Sequence, residues 1–160
     1  MLKCAIYCTM FTREQASLIK QEFWTALGKY MSPIPSSEGL KVNWINYHTH
    51  VKDVFFRMDA NAKSANISIL IQHKDLEMQQ LFYEQFLELK DVLHSTLQEE
   101  WQWQQLIPDT SGKIVSRIYK EMSGISVLNR DDWPQLISFF KQRMIALDSF
   151  WENARYSFEF

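Results

Sequence analysis

Cysteine is almost missing from this chain of 160 residues: Cys4 and Cys8 are the only two, and both fall among the first nine positions. With no third cysteine beside them, a zinc site there would have to recruit histidines from elsewhere in the chain. Met10 offers a second start, directly before a capped helix, and a chain beginning there holds no cysteine, which suits a cytoplasmic protein without disulfides. Residues 1–9 are therefore expected to be an extension outside the domain. They do not read as a signal peptide, because their apolar stretch is too short and no small-residue cleavage site follows. No run anywhere approaches the ~20 apolar residues of a membrane-spanning helix. Glycine and proline number 4 each, leaving few points at which the chain can hinge. A basic excess is missing as well: the net charge is −2, so there is no global electrostatic signature of nucleic-acid binding, although a local basic face stays open. Nor is there a Ser/His/Asp spacing, a glycine-rich phosphate loop or a cofactor fingerprint.

What the chain has instead is rings. Hydrophobic residues make up 46% and aromatics 14%, with 6 Trp and 11 Phe, which argues against disorder and for one thick core. Residues 10–160 read as a single α+β domain. Thr12-Arg13-Glu14-Gln15 is a capping-box start, and Ala16, Ile19, Phe23, Leu27 and Tyr30 recur at helical spacing behind it. Ser32-Pro33-Ile34-Pro35 ends that helix. Three strands are then expected between Leu40 and His73. Val42 to Tyr47 alternates bulky and polar side chains. Val54 to Met58 sets Val54, Phe56 and Met58 on one face and Phe55, Arg57 and Asp59 on the other. Ile67, Ile69 and Ile71 form a β-branched row suited to a buried pleated surface.

Asp75 can cap a second helix with the apolar row Phe82, Phe86, Leu89, Leu93 and Leu97. Strands from Trp101 to Leu106 and from Ile114 to Lys120 flank the turn Pro108-Asp109-Thr110-Ser111-Gly112. A last helix opens at Asn129-Arg130-Asp131-Asp132-Trp133-Pro134, with acids near its positive end and proline in its first turn. Trp133, Ile137, Phe140, Met144, Leu147, Trp151 and Ala154 share one of its faces. The expected fold is thus an α+β domain with a largely antiparallel sheet of about five strands and three helices, in the order α-β-β-β-α-β-β-α.

Several stretches carry a resemblance: Glu22-Phe23-Trp24, Ser36 to Trp44, Lys52 to Asp59, Arg117-Ile118-Tyr119 and Asp132-Trp133-Pro134. From about Met10 to the C-terminus the chain resembles small bacterial proteins of the domain of unknown function 4268 family. Members occur alone or appended to predicted restriction-type nuclease domains. The resemblance implies a bacterial, cytoplasmic setting and an accessory role near nucleic-acid enzymes, and it supplies no catalytic residues.

Read from the residues, four sites compete. Helix–strand–strand–strand–helix–strand is also the core order of PD-(D/E)xK nucleases, whose carboxylates hold a divalent metal beside a lysine. The equivalents here would be Asp53 or Asp59, then Gln72 and Lys74, with Mg²⁺ as cofactor in that case alone. His48 and His50 could reach one metal, with no third ligand identifiable. Trp101 and Trp103 with Arg117, Tyr119 and Lys120 combine flat rings and positive charge, the ingredients of a stacking platform for single strands. The competing assignment turns both tryptophans into the core and pairs Arg117 with Glu99 or Glu100. Some of the six tryptophans, with Phe150, Tyr156, Phe158 and Phe160, could build a self-association surface. The expectation is a non-catalytic recognition or interaction module with itself, a protein or a nucleic acid as partner. The alternative is an active or degenerate PD-(D/E)xK-like nuclease.

Overall fold

The structure, a computed structural model, describes residues 11–159. The expected extension over 1–9, the start at Met10 and the aromatic Phe160 lie outside the described residues. Helix α1, Arg13–Met31, begins at the expected capping box: Gln15 N–H donates to Thr12 Oγ1 (3.1 Å) and Thr12 N–H to Gln15 Oε1 (2.9 Å). Phe23 and Leu27 are buried as its periodicity predicts, but the last buried position is Met31, and Tyr30 points outward with Lys141 over its ring.

Strand β1, Val54–Ala60, and strand β2, Ser64–Ile71, form an antiparallel hairpin. Helix α2 spans Leu76–Glu88, with Asp75 capping Glu77 N–H at 3.0 Å as expected. Helix α3 follows over Lys90–Leu97. The single helix expected here is two, because Leu89 leaves helical geometry (ψ 7°) and its N–H is shared between the carbonyls of Phe86 (3.0 Å) and Gln85 (3.3 Å). Strand β3, Gln102–Pro108, and strand β4, Ile114–Ser123, make the expected second hairpin. A 3₁₀ turn at Arg130–Asp132 leads into helix α4, Trp133–Ala154, and a second 3₁₀ turn covers Arg155–Phe158.

Among the described residues there are therefore four strands and four α-helices, not five and three. The missing strand is Val42 to Tyr47. Its alternation is genuine, since Trp44 is buried and Asn43 exposed, but it serves a loop that plugs side chains into the core. Asn43 Oδ1 accepts from the N–H groups of Ile45 and Asn46, folding the backbone into a turn. Trp44 Nε1 donates to the Ile34 carbonyl at 3.0 Å. A fifth strand would have to pair along β1, where Thr49 Oγ1 already donates to the Val54 carbonyl at 2.7 Å.

The sheet runs β1-β2-β4-β3 with every neighbouring pair antiparallel. Its two-residue period divides it into two faces. One carries Val54 and Phe56, then Ile67, Ile69 and Ile71, then Ile118, all buried beneath the helices. On that side Trp151 of α4 meets Phe56 edge-on at 5.5 Å, and Tyr83 of α2 meets Trp103 at 5.8 Å. Buried Gln79 of α2 takes the Ser116 hydroxyl at 2.8 Å and donates to the His73 and Ile114 carbonyls, so a polar side chain inside the core is fully partnered. Helix α1 forms a second layer on α4, through Phe23 against Trp133 and Phe140.

At the C-terminus of α3, Gln98 sits in left-handed conformation (φ 56°, ψ 29°), where a side chain is strained and glycine is favoured. Gln98→Gly is expected to stabilise the protein by about 0.5–1 kcal/mol. A urea midpoint that fails to rise would contradict it.

Candidate functional site

The register decides which sequence candidates can act together. Gln102 lies opposite Tyr119, Trp103 opposite Ile118 and Gln104 opposite Arg117. Trp103 and Lys120 therefore share the helix-covered face, whereas Arg117 and Tyr119 lie on the other, where Tyr119 is itself buried with Arg117 over its ring. The expected five-residue platform is split. Trp101 precedes β3 and is buried, its Nε1 donating to Glu99 Oε1 at 2.9 Å. Trp103 is half-buried between Tyr83 and His94. Lys120 reaches Glu99 at 3.9 Å. The partner of Glu99 is Arg143 of α4, through two bonds of 2.7 and 3.0 Å, and not Arg117. Burial alone would raise the Glu99 carboxyl. Hydrogen bonds from Arg143 and Trp101, with the charges of Arg143 and Lys120, overcome that and hold it below its ordinary value.

The second face of the sheet brings together residues far apart in sequence. Arg57, Ser68, Tyr119 and Gln102 form one row across all four strands, and Phe55, Leu70, Arg117 and Gln104 form the next. Arg117 lies 4.0 Å above the Tyr119 ring, and its Nε donates to Gln104 Oε1 at 2.7 Å. Arg57 lies 4.4 Å above the Phe55 ring. Each guanidinium is thus held against an aromatic face, which restricts a long side chain before any partner arrives. The helix-to-sheet contacts described above all fall on the opposite face. Phe55, Arg57, Gln102 and Gln104 were not among the sequence candidates as binding residues, although the alternation over Val54 to Met58 already sets Phe55 and Arg57 on the face away from the core. Which residues of β3 and β4 they join is not in the local pattern.

The nuclease candidates are not gathered. Asp53 is near His73, with Oδ2 at 3.9 Å from Nε2, and its carbonyl accepts from Gln72 N–H at 2.9 Å. Lys74 is exposed just beyond. Asp59 pairs across with Asn66 at the opposite end of β1, about 20 Å away at the rise of an extended strand. His48 and His50 lie in the loop before β1 with ring centroids 6.2 Å apart. Among the described residues no group of three or more His, Cys, Asp or Glu is placed to hold a metal ion. Of the C-terminal aromatics among the described residues, Phe150 and Phe158 are buried in the core and Tyr156 is exposed. Among the described residues no helix is long and apolar enough to cross a membrane.

A family model described as "Domain of unknown function (DUF4268)" matches residues 19–155. The chain belongs to this family. The matched span takes in all four strands, the loop from 32 to 53 and α4. No curated protein and no solved structure matches the chain.

Proposed function

We propose that this member of the family is a non-catalytic recognition module that lays single-stranded nucleic acid across the outer face of its sheet. The observation that supports the reading is Arg117, stacked on Tyr119 and fastened by Gln104, beside the equivalent Arg57 on Phe55. Held guanidinium planes offer bases a stacking surface and phosphates a positive charge, while Gln102 and Gln104 supply amide groups for base edges. A duplex hides its bases from such a surface. The setting carried over from the sequence resemblance, an accessory role beside nucleic-acid enzymes in a bacterial cytoplasm, agrees with this reading.

Fluorescence anisotropy with labelled single-stranded DNA and RNA at low salt is the test. Two arginine contacts predict a slope of about −1.4 for log affinity against log salt. Arg117→Ala is expected to weaken binding about tenfold, the loss of one stacked base, while leaving the urea midpoint nearly unchanged. Duplex DNA should bind less tightly. Absence of binding at low salt, or an unaltered affinity in Arg57→Ala/Arg117→Ala, rejects the reading.

A further inference from the structure

On the helix-covered side, the loop from 36 to 50 and the end of α4 enclose a cavity of about 260 Å³, roughly eight or nine water volumes. The residue that sets its chemistry is Asp148. It stands on the buried stripe of α4 at 6% exposure, between Leu147 and Trp151 in the packing of that helix. Its Oδ2 accepts from Ser37 N–H (2.8 Å) and its Oδ1 from the Tyr47 hydroxyl (2.6 Å). Both donors are neutral. Burial first, and then the bond to Asp148, push the Tyr47 phenol far above its ordinary value, so it stays protonated and keeps donating.

Asp148 is thus a carboxylate nine-tenths buried, lining a cavity and bonded to two uncharged groups. Arg155, which also lines the cavity and whose charge is felt at Tyr47, is engaged by Glu38 (3.3 Å) and the Tyr156 hydroxyl (2.9 Å) and makes no ion pair with Asp148. Buried charges in folded proteins are ordinarily met by an opposite charge. Lys41, His48 and His50 line the same cavity and are exposed, which puts one ammonium group and two imidazole rings able to donate N–H on its rim, beside the carboxylates of Glu38 and Glu152.

We infer that this cavity is a binding site for a small zwitterion of amino-acid size. Its ammonium or guanidinium group lies against Asp148 and its carboxylate toward Lys41, His48 and His50. The cavity is large enough for a ligand of that class. The site is separate from the outer sheet face, so neither depends on the other.

Isothermal titration of the full chain with the free amino acids, one at a time at millimolar concentration, tests the assignment. n-Butylamine, butyrate and Mg²⁺ serve as single-charge controls. At least one amino acid is expected to bind, at least about tenfold more tightly than either organic control, since each loses one charge-assisted contact. Asp148→Asn, which keeps the side chain's shape and removes its charge, is expected to lower that affinity by about tenfold or more. Should Asp148→Asn not fold, Lys41→Ala and His50→Ala decide, because both residues are exposed and each should weaken binding several-fold without shifting the urea midpoint. Arg117→Ala should bind as the parent does. No binding by any amino acid, equal binding by n-butylamine or Mg²⁺, or unchanged affinity in both rim variants overturns the inference.

Discussion

Trp151→Ala is expected to cost the fold about 3–5 kcal/mol, the range for removing a large buried aromatic. Trp151 is 2% exposed, and its ring packs against Phe56 of β1, Phe86 of α2 and Phe158 of the final turn, at centroid distances of 5.5, 5.9 and 5.2 Å. It thereby joins sheet, helix layer and C-terminus. Its Nε1 also donates to the Thr49 carbonyl at 2.7 Å in a buried setting, which fastens the loop preceding β1. Alanine removes the ring contacts and leaves that carbonyl without its partner. Against a total of about 5–15 kcal/mol for a domain, the loss is a large fraction. Urea unfolding followed by far-UV circular dichroism should show a much lower midpoint with an unchanged slope. Trp151→Phe separates the two parts, keeping most of the packing and losing the hydrogen bond. Its cost should be clearly smaller than that of alanine, and equal costs would refute the packing account.

The second large effect concerns the bond between Tyr47 and Asp148, which joins the loop to α4. Tyr47→Phe is expected to destabilise the protein by about 1.5–3 kcal/mol at neutral pH, the worth of a hydrogen bond to a charged group. The pH dependence follows from the raised phenol. In the unfolded chain Tyr47 loses its proton near its ordinary value of 10.0, whereas in the folded protein it retains the proton to higher pH. Above about pH 10 the unfolded state therefore binds fewer protons than the native state, and unfolding becomes easier as pH rises. The contribution is fully present below pH 10 and falls by at most about 1.4 kcal/mol per further pH unit. The stability gap between the parent and Tyr47→Phe should accordingly be constant up to about pH 9 and shrink beyond about pH 10. Tyr83, whose phenol burial also raises, adds a loss of the same sign to both proteins and cancels from the difference. A gap that widens with pH would contradict the linkage.

Much of this architecture is legible in local pattern. The capping box at Thr12, the cap at Asp75, the turn at Pro108 to Gly112 and the row Ile67/Ile69/Ile71 each rest on interactions within a few residues, and each appears where expected. Two local patterns mislead. Alternation over Val42 to Tyr47 reports which side chains are buried, and a loop anchored by Asn43 and Trp44 satisfies it as well as a strand does. The apolar row through Leu89 continues without a break, yet the backbone leaves helical geometry there and starts a second helix. Asp148 gave a signal of a different kind: a charged residue beside Leu147 on the apolar stripe of the last helix. Its partners, Ser37 and Tyr47, are more than a hundred positions away.

The amino-acid sequence by itself determined most of the elements, all but the loop at 42–47 and the break at Leu89, together with the hairpin ends and the inward or outward sense of β1 and β2, because periodicity and capping are properties of neighbouring residues. Only the tertiary structure decided that β4 lies beside β2, that Trp103 lies on the helix-covered face while Arg117 and a buried Tyr119 lie on the other, next to Arg57, and that a loop closes over Asp148. Strand pairing and register are long-range choices, settled by how apolar surface is shared among segments, and a shift of one residue exchanges the two faces of a strand.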